Sequence, residues 1–230
     1  MASVTDLPHG AEKVHRVRSM FDSIAGRYDL VNRVMTFGLD VGWRRRAVAS
    51  LQLPGGSLVL DLACGTGDLC RELRAQGYRA IGFDFSAGML GAARTEAPLV
   101  QADVLRLPLP DASADGATSG FALRNVVDLA AFFSEIGRVL RPGGRIALLD
   151  ASRPERAAAR AAHALYFGRI VPLLGGVLSD RSAYRYLPRS LAYLPAPTEL
   201  AAMLRQAGFV EIGRTALAAG AAQLLTGTRT

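Results

Sequence analysis

"VLDLACGTGDLC", residues 59–70, decides how the rest of the chain is read. An apolar run ends in Asp61, and Gly65 and Gly67 follow around Thr66. The run predicts a buried strand over "SLVLDLA" (57–63), and "GDLCRELRAQG" (67–77) predicts a helix closed by Gly77. Ligands of open parallel sheets bind at the carboxyl ends of the strands, where this junction lies. Glycines there permit positive φ and let a ligand approach the backbone. A plain turn also explains two glycines, and Thr66 at this place can simply cap the helix. A dinucleotide-binding loop would need glycine or alanine where Cys70 stands, and no phosphate-binding lysine follows. The stretch therefore departs from both common phosphate-binding loops.

Working outward, strands and helices alternate. "YRAIGFDFS" (78–86) is a second strand, with Ser86 placed to cap the helix "AGMLGAART" (87–95). "PLVQAD" (98–103) and "ADGATSGFAL" (114–123) are the third and fourth strands. "LAAFFSEIGRVL" (129–140) is an amphipathic helix stopped by an "RPGG" turn, and "RIALLDAS" (145–152) is the fifth strand. "PTELAAMLRQAG" (197–208) is a helix opened by Pro197 and Thr198. "FVEIGRTALAAG" (209–220) and "AAQLLTGTRT" (221–230) can pair as a hairpin at the sheet edge. Upstream, residues 14–50 read as helix, with Phe21, Ile24, Tyr28, Val31 and Met35 on one face and Gly38 as an interruption. Residues 153–195 break the rhythm and read as a helical cover over an acceptor site. The expected architecture is one α/β domain: a mostly parallel seven-stranded sheet with helices on both faces. Its parts are N-terminal helices over 1–52, a cofactor-binding core over 57–150, the cover, and a C-terminal helix and hairpin over 197–230.

The 230 residues carry 27 Lys and Arg against 20 Asp and Glu, a net charge of +7, and Lys13 is the only lysine. A positive balance favours anionic partners. An arginine-rich composition accounts for it equally well, since no dense basic run appears. Without interleaved aromatic and basic patches, a nucleic-acid partner is not expected. Cys64 and Cys70 lack CxxC spacing and paired histidines, so no metal site is expected, and reduced thiols suit the cytoplasm. His9, His15 and His163 lie in no motif. No signal peptide is read in the first twenty residues. The longest apolar stretch, "IVPLLGGVL" (170–178), falls far short of the roughly 20 residues that span a bilayer.

Asp84, ending the second strand with Phe85 beside it, stands where a carboxylate accepts hydrogen bonds from ribose hydroxyls. Asp103 and Val104 fall near the adenine edge of such a ligand, and Asp61 near its amino-acid end. An acidic, glycine-lined crevice suits a cationic nucleoside without phosphates, a description that S-adenosylmethionine fits.

"VLDLACGTGD", "GFDFS", "QADVLRLPLPDASADGATSGFALRNV" and "RVLRPGGRIALLDAS" resemble the successive motifs of class I S-adenosylmethionine-dependent methyltransferases, which have a Rossmann-like fold. "FDSIAGRYDLVNRVMTFGLDVGWRR" (21–45), "GFALRNV" (120–126) and "SDRSAYRYLPRSLAYLP" (179–195) resemble the ubiquinone/menaquinone biosynthesis C-methyltransferases. The resemblance spans about residues 14 to 228. Val31, Asp40, Gly120 and Asp150 depart from the residues usual in that family. It implies methyl transfer from the sulfonium to a ring carbon of an isoprenoid demethylquinol, with menaquinol favoured over ubiquinol precursors. It implies that Gly65, Thr66, Gly67 and Phe121 hold the cofactor. Arg124, Asn125 and Tyr28 would serve the chemistry, and Asp29, Tyr184 and Tyr186 the acceptor, with Arg185 between those tyrosines. Tyr28 and Asp29 would close the site from the N-terminal helices. Contact of the 165–178 face with the inner face of a membrane, and a homodimer, stay open. Another small-molecule or RNA methyltransferase, or a non-catalytic cofactor-binding subunit of a quinone-synthesis complex, shares the same cofactor motifs.

Overall fold

A computed structural model describes residues 10–152, 154 and 190–230. The chain opens with α1 (Gly10–Ile24), a 3-10 turn (Ala25–Arg27), α2 (Tyr28–Met35) and α3 (Leu39–Ala49). The core follows as β1 (Leu58–Leu62), α4 (Asp68–Ala75), β2 (Arg79–Asp84), α5 (Ala87–Gly91), β3 (Leu99–Gln101), β4 (Ala114–Gly120), α6 (Leu129–Val139) and β5 (Leu140–Ala151). It ends with α7 (Pro197–Gln206), β6 (Phe209–Leu217) and β7 (Ala222–Arg229).

The seven strands lie in the order β3-β2-β1-β4-β5-β7-β6. The first five are parallel, and β7 runs antiparallel between β5 and β6. The order turns round between β1 and β4, and a crevice opens at their carboxyl ends. Both faces of the sheet are covered, so its central strands are apolar almost throughout. Leu60 and Leu62 of β1 pack on one face with Phe132, Phe133 and Ile136 of α6. Val59 packs on the other with Leu73 of α4 and Val48 of α3. Ser86 caps α5 by accepting from the Met89 N–H, and Asp128 caps α6 by accepting from the Ala131 N–H.

Two expectations need correction. The helix over 14–50 is interrupted at Gly38 (φ 75°) as expected, with Phe37 (φ 53°) beside it, but it is also broken at Ala25–Arg27, which the periodicity did not show. The predicted face holds across these breaks, because Ile24, Val31 and Met35 share one buried cluster with Met89 of α5. The "RPGG" segment does not precede the fifth strand but lies inside it. Ala114 pairs with Leu140 and Gly116 with Arg145, so Asp115 faces a four-residue bulge. Asp115 occupies that gap, ion-paired to Arg141 and accepting from the Leu58 N–H at 2.7 Å. The cover expected over 153–195 lies outside the described residues, except for position 154 and the segment from 190 on. The membrane face expected at 165–178 lies outside them too. Among the described residues, no helix is long and apolar enough to cross a membrane.

Candidate active site

Beyond β1 the chain turns sharply. Ala63 (φ 55°), Gly65 (φ 55°) and Gly67 (φ 82°) all adopt left-handed backbone. The Cys64 N–H still bonds the Phe83 carbonyl at 3.0 Å, and the Gly67 N–H closes the turn on the Cys64 carbonyl at 2.9 Å. The two glycines do different work. A Cβ on Gly65 would meet open space, whereas one on Gly67 would lie 2.6 Å from Thr95 Cγ2. Gly65 leaves room for a ligand, and Gly67 leaves room for the protein. Gly67→Ala should therefore cost about 2–5 kcal/mol, combining left-handed strain with overpacking. Adding Thr95→Ala should recover part of that loss in a thermal melt. No recovery would mean that φ alone sets the requirement.

The loop is strapped to the N-terminal helices. Thr66, 3% exposed, donates its hydroxyl to Asp29 Oδ1 at 2.5 Å. Arg44 of α3 reaches Asp68 at 3.0 Å and also pairs with Asp40, while Arg71 pairs with Asp68 from the next turn. Asp40 is held further by the Thr36 hydroxyl at 2.7 Å.

At the switch point lies a cavity of about 460 Å³, within the range of roughly 300–1,000 Å³ typical of ligand pockets. Gly65, Asp84, Phe85, Asp103, Val104 and Phe121 line it from the sheet side, with Asn125 beyond. Tyr28 and the α1 residues Val14, Val17, Arg18 and Phe21 line it from the helices. Asp84 is 5% exposed and accepts from the Gly65 N–H at 2.8 Å and the Ser86 N–H at 2.9 Å. Burial pushes its carboxyl above the usual carboxylate range, against the pull of these backbone donors. Asp103 is fixed by the Leu105 N–H at 2.9 Å. Asp61 sits behind the loop, 1% exposed, where the Cys70 thiol (3.4 Å) and the Thr118 hydroxyl (3.2 Å) donate to it. Burial raises its carboxyl to about 7. Among the described lining residues only Arg18 is cationic. The cavity suits a nucleoside with positive charge better than one carrying phosphates.

Arg124 and Asn125 follow β4 in a short 3-10 turn (Leu123–Asn125) and diverge. Asn125 lines the large cavity. Arg124 borders a second cavity of about 170 Å³, together with Asn32, Asp40, Trp43 and Phe121. Its guanidinium is ion-paired with Asp150, which is fully buried, and its own N–H donates to the same carboxylate at 3.1 Å. Phe121 borders both cavities, at φ 60°, with the Arg44 and Arg124 guanidinium carbons 5.7 and 6.0 Å from its ring centroid.

The sequence pattern of the ubiE/COQ5 methyltransferase family matches residues 10–229. The chain belongs to that family. Among its relatives, the demethylmenaquinone methyltransferase of Roseiflexus castenholzii is 43% identical over 97% of both chains. The protein of the same name from Thermus thermophilus is 44% identical over 83% of this chain and 91% of its own. The ubiquinone/menaquinone biosynthesis C-methyltransferase UbiE of Geobacter sulfurreducens is 37% identical over 95% and 90%. Among solved structures, a SAM-dependent methyltransferase of Thermotoga maritima aligns at TM-score 0.65 and 20% identity, covering 93% of this chain and 99% of its own. A putative methyltransferase of Haloferax volcanii in complex with the Trm112 activator aligns at 0.64 and 21%, covering 90% and 96%. The fold is thus the class I Rossmann-like fold.

For a member of the ubiE/COQ5 family, the sequence located most of the large cavity. Gly65, Asp84, Phe85, Asp103, Val104, Phe121, Tyr28 and Asn125 converge there. Asp61, Thr66 and Gly67 lie behind the lining and shape it, and Asp29 holds Thr66. Arg124 is on the other cavity, so the pair expected to act side by side faces two ways. Tyr184, Arg185 and Tyr186 lie outside the described residues. The α1 contribution was missed. Val14, Val17 and Phe21 are spaced as a helical stripe, but periodicity does not say what a stripe covers. The same helix is pinned by Lys13, which donates to the Val126 carbonyl at 2.9 Å.

Proposed function

We propose that this methyltransferase transfers the methyl group of S-adenosylmethionine to a ring carbon of demethylmenaquinol, giving menaquinol. The observation that carries the reading is the large cavity at the switch point, with the carboxylates of Asp84 and Asp103 on an otherwise largely apolar wall and open space over Gly65. The relatives named for this reaction set the acceptor class. When bound, the cofactor supplies a methyl group made electrophilic by its sulfonium.

The protein's residues supply the rest. A carboxylate offers about four acceptor positions. Asp84 spends two on Gly65 and Ser86, which leaves room for ribose hydroxyls. Asp103 and Val104 take the adenine edge. Asp61, through the loop, favours positive charge at the amino-acid end. An aromatic carbon is a weak nucleophile, and ionising the adjacent hydroxyl enriches it. Arg124 favours that ionised oxygen. The ring carbon gives up one proton as the new carbon–carbon bond forms. Asn125 and Tyr28, which both line the large cavity, would hold a water that receives it. Burial pushes the Tyr28 hydroxyl above its usual range, so it acts as a donor rather than as the base.

Turnover of labelled S-adenosylmethionine against reduced demethylmenaquinol tests this. Transfer to the ring supports it, and cofactor binding without transfer overturns it. The UbiE relative favours a second reading, in which a ubiquinol precursor is also methylated, so both quinols belong in the assay.

Asp61 makes the binding step pH-dependent. Its carboxyl rises from 3.8 to about 7 on folding, so its proton adds stability below about pH 4 that is lost as pH rises through about 7. A cationic ligand favours the ionised form. Affinity should then rise about tenfold between pH 6 and 8, with proton release on binding. Asp61→Asn should remove both effects and bind weakly throughout. Calorimetry in buffers of different ionisation enthalpy reads the proton directly, and release persisting in the variant would assign it elsewhere.

A further inference from the structure

Lys13 is 4% exposed, and among the described residues no carboxylate pairs with its ammonium. A buried charge is ordinarily paired, because taking it out of water is costly. Burial pulls the ammonium down to about 8, which still leaves it mostly charged at neutral pH. An apolar residue would anchor a helix with less desolvation. Lys13 instead meets two directional partners. It donates to the Val126 carbonyl at 2.9 Å, and its Nζ lies 3.9 Å from the centroid of the Tyr193 ring. A cation over an aromatic face is attracted by the ring quadrupole, more strongly where water is excluded.

The three residues come from distant parts of the chain. Lys13 lies near the start of α1, Val126 leaves the 3-10 turn after β4, and Tyr193 ends another 3-10 turn (Leu191–Tyr193) ahead of α7. The far end of α1 is tied separately. Asp22 accepts from the Ser86 hydroxyl at 2.5 Å and from the Gly88 N–H at 2.9 Å, where α5 begins. Between these two ties, Val14, Val17 and Phe21 wall the large cavity.

The carbonyl that Lys13 holds belongs to the residue after Asn125. Within the turn, the Asn125 N–H reaches the Ala122 carbonyl at 2.7 Å, and the Val126 N–H reaches those of Ala122 and Leu123 at 3.2 Å. A 3-10 turn has poorer hydrogen-bond geometry than an α-helix. Lys13 adds a restraint from outside on where the turn ends, and so on Asn125, which lines the cavity beside Val126.

We infer that Lys13 is a positioning residue for methyl transfer: it holds the Val126 carbonyl so that Asn125 is placed toward the reacting atoms, and it joins that turn to the α1 wall of the cofactor cavity. The inference rests on the quinol reading above for the work of Asn125 and adds how Asn125 is placed. Misplacing a group by about 1 Å can slow a reaction about 10²-fold.

The test is a double-mutant cycle in the full chain. Lys13→Met keeps a long, helix-compatible side chain and removes the charge. Its melting temperature should stay near that of the wild type, since the lost hydrogen bond and the relieved desolvation oppose each other. Its kcat should fall about 10–10²-fold. The quinol KM and the Kd of S-adenosylmethionine should change less than about threefold, as expected when only the transition state loses support. Asn125→Ala should be slow too, and the double variant no slower than Asn125→Ala alone, because both act through one group. Lys13→Arg keeps a charged donor and should recover part of the rate. Tyr193→Leu withdraws the ring without touching the buried charge, and should slow kcat in the same direction by a smaller factor. An unchanged kcat in both Lys13→Met and Tyr193→Leu overturns the inference. So does a loss matched by an equal rise in the cofactor's Kd, or losses that multiply in the double variant. Amide exchange of the ligand-free protein reads the hold on the turn without turnover. Asn125 and Val126 should exchange about tenfold faster in Lys13→Met while β1 is unaffected, and unchanged exchange overturns the hold. A wild type that methylates neither quinol while this exchange still responds overturns the functional reading, and leaves Lys13 as a brace of the turn with no part in transfer.

Discussion

Asp84→Ala should lower the affinity for S-adenosylmethionine about 10²–10⁴-fold, because two hydrogen bonds to a charged acceptor are worth roughly 1.5–3 kcal/mol each. The ligand-free fold should suffer less. Asp84 is buried with its carboxyl held above the usual range, so ionising it there already costs energy. Removing it relieves that cost while leaving the Gly65 and Ser86 N–H groups without their acceptor, a loss of about 1–3 kcal/mol for a buried donor. The two effects oppose each other. The variant should melt near the wild type when empty but fail to gain stability when ligand is added, since that gain grows as RT ln(1 + [L]/Kd). Asp84→Asn keeps one acceptor oxygen and turns a donor toward the second hydroxyl, so it should fall in between. Titration calorimetry and melts with and without ligand give both numbers. Asp84→Ala binding within threefold of wild type would remove Asp84 from the ribose.

The sequence shows what is local and misplaces what is not. The junction from β1 through the glycine loop to α4 is legible because strand, turn and helix signals follow one another within twenty residues. Ser86 behaves as the cap its position suggests, and the C-terminal hairpin lies at the sheet edge as expected. The roles that went astray depend on partners distant in sequence. Thr66, expected at the cofactor with a helix cap as the plainer alternative, gives its hydroxyl to Asp29, 37 residues away, and caps nothing. Asp40, to which the sequence assigns no role, belongs to an ion-pair relay through Arg44 to Asp68. The bulge inside β5 depends on Asp115 of the neighbouring strand filling the gap, which no propensity of Arg-Pro-Gly-Gly reveals. Arg124 and Asn125 are adjacent, so they read as one functional unit. A single 3-10 turn is enough to send them to different cavities. The second cavity has no sequence signature of its own, since it is assembled from α2, α3, the ends of β4 and β5, and the β6–β7 connection.

Arg124→Met should cost about 3–5 kcal/mol of folding stability, because it strands the buried carboxylate of Asp150 without a counter-charge. That loss would abolish turnover whether or not Arg124 touches the acceptor, so the single variant cannot separate structure from chemistry. The pair of substitutions can. Replacing a buried ion pair by apolar side chains is often neutral or better, so Arg124→Met with Asp150→Leu should recover most of the stability in urea unfolding. The Arg124 N–H still loses its acceptor on Asp150, which limits the recovery by about 1–3 kcal/mol. If the ion pair serves only to brace the turn after β4, turnover returns with the fold. If Arg124 stabilises the ionised quinol oxygen, the double variant folds, binds cofactor and stays at least about 10²-fold slow, as expected when a preorganised charge is withdrawn from a reacting oxyanion. Arg124→Lys sharpens the choice. It keeps the charge beside Asp150 but loses the planar fork, so it should retain more stability than activity if the guanidinium serves carboxylate and acceptor at once. Asp150 then has a second function: one carboxylate holds both the Arg124 side chain and its backbone N–H, and so fixes Arg124 at the edge of the second cavity.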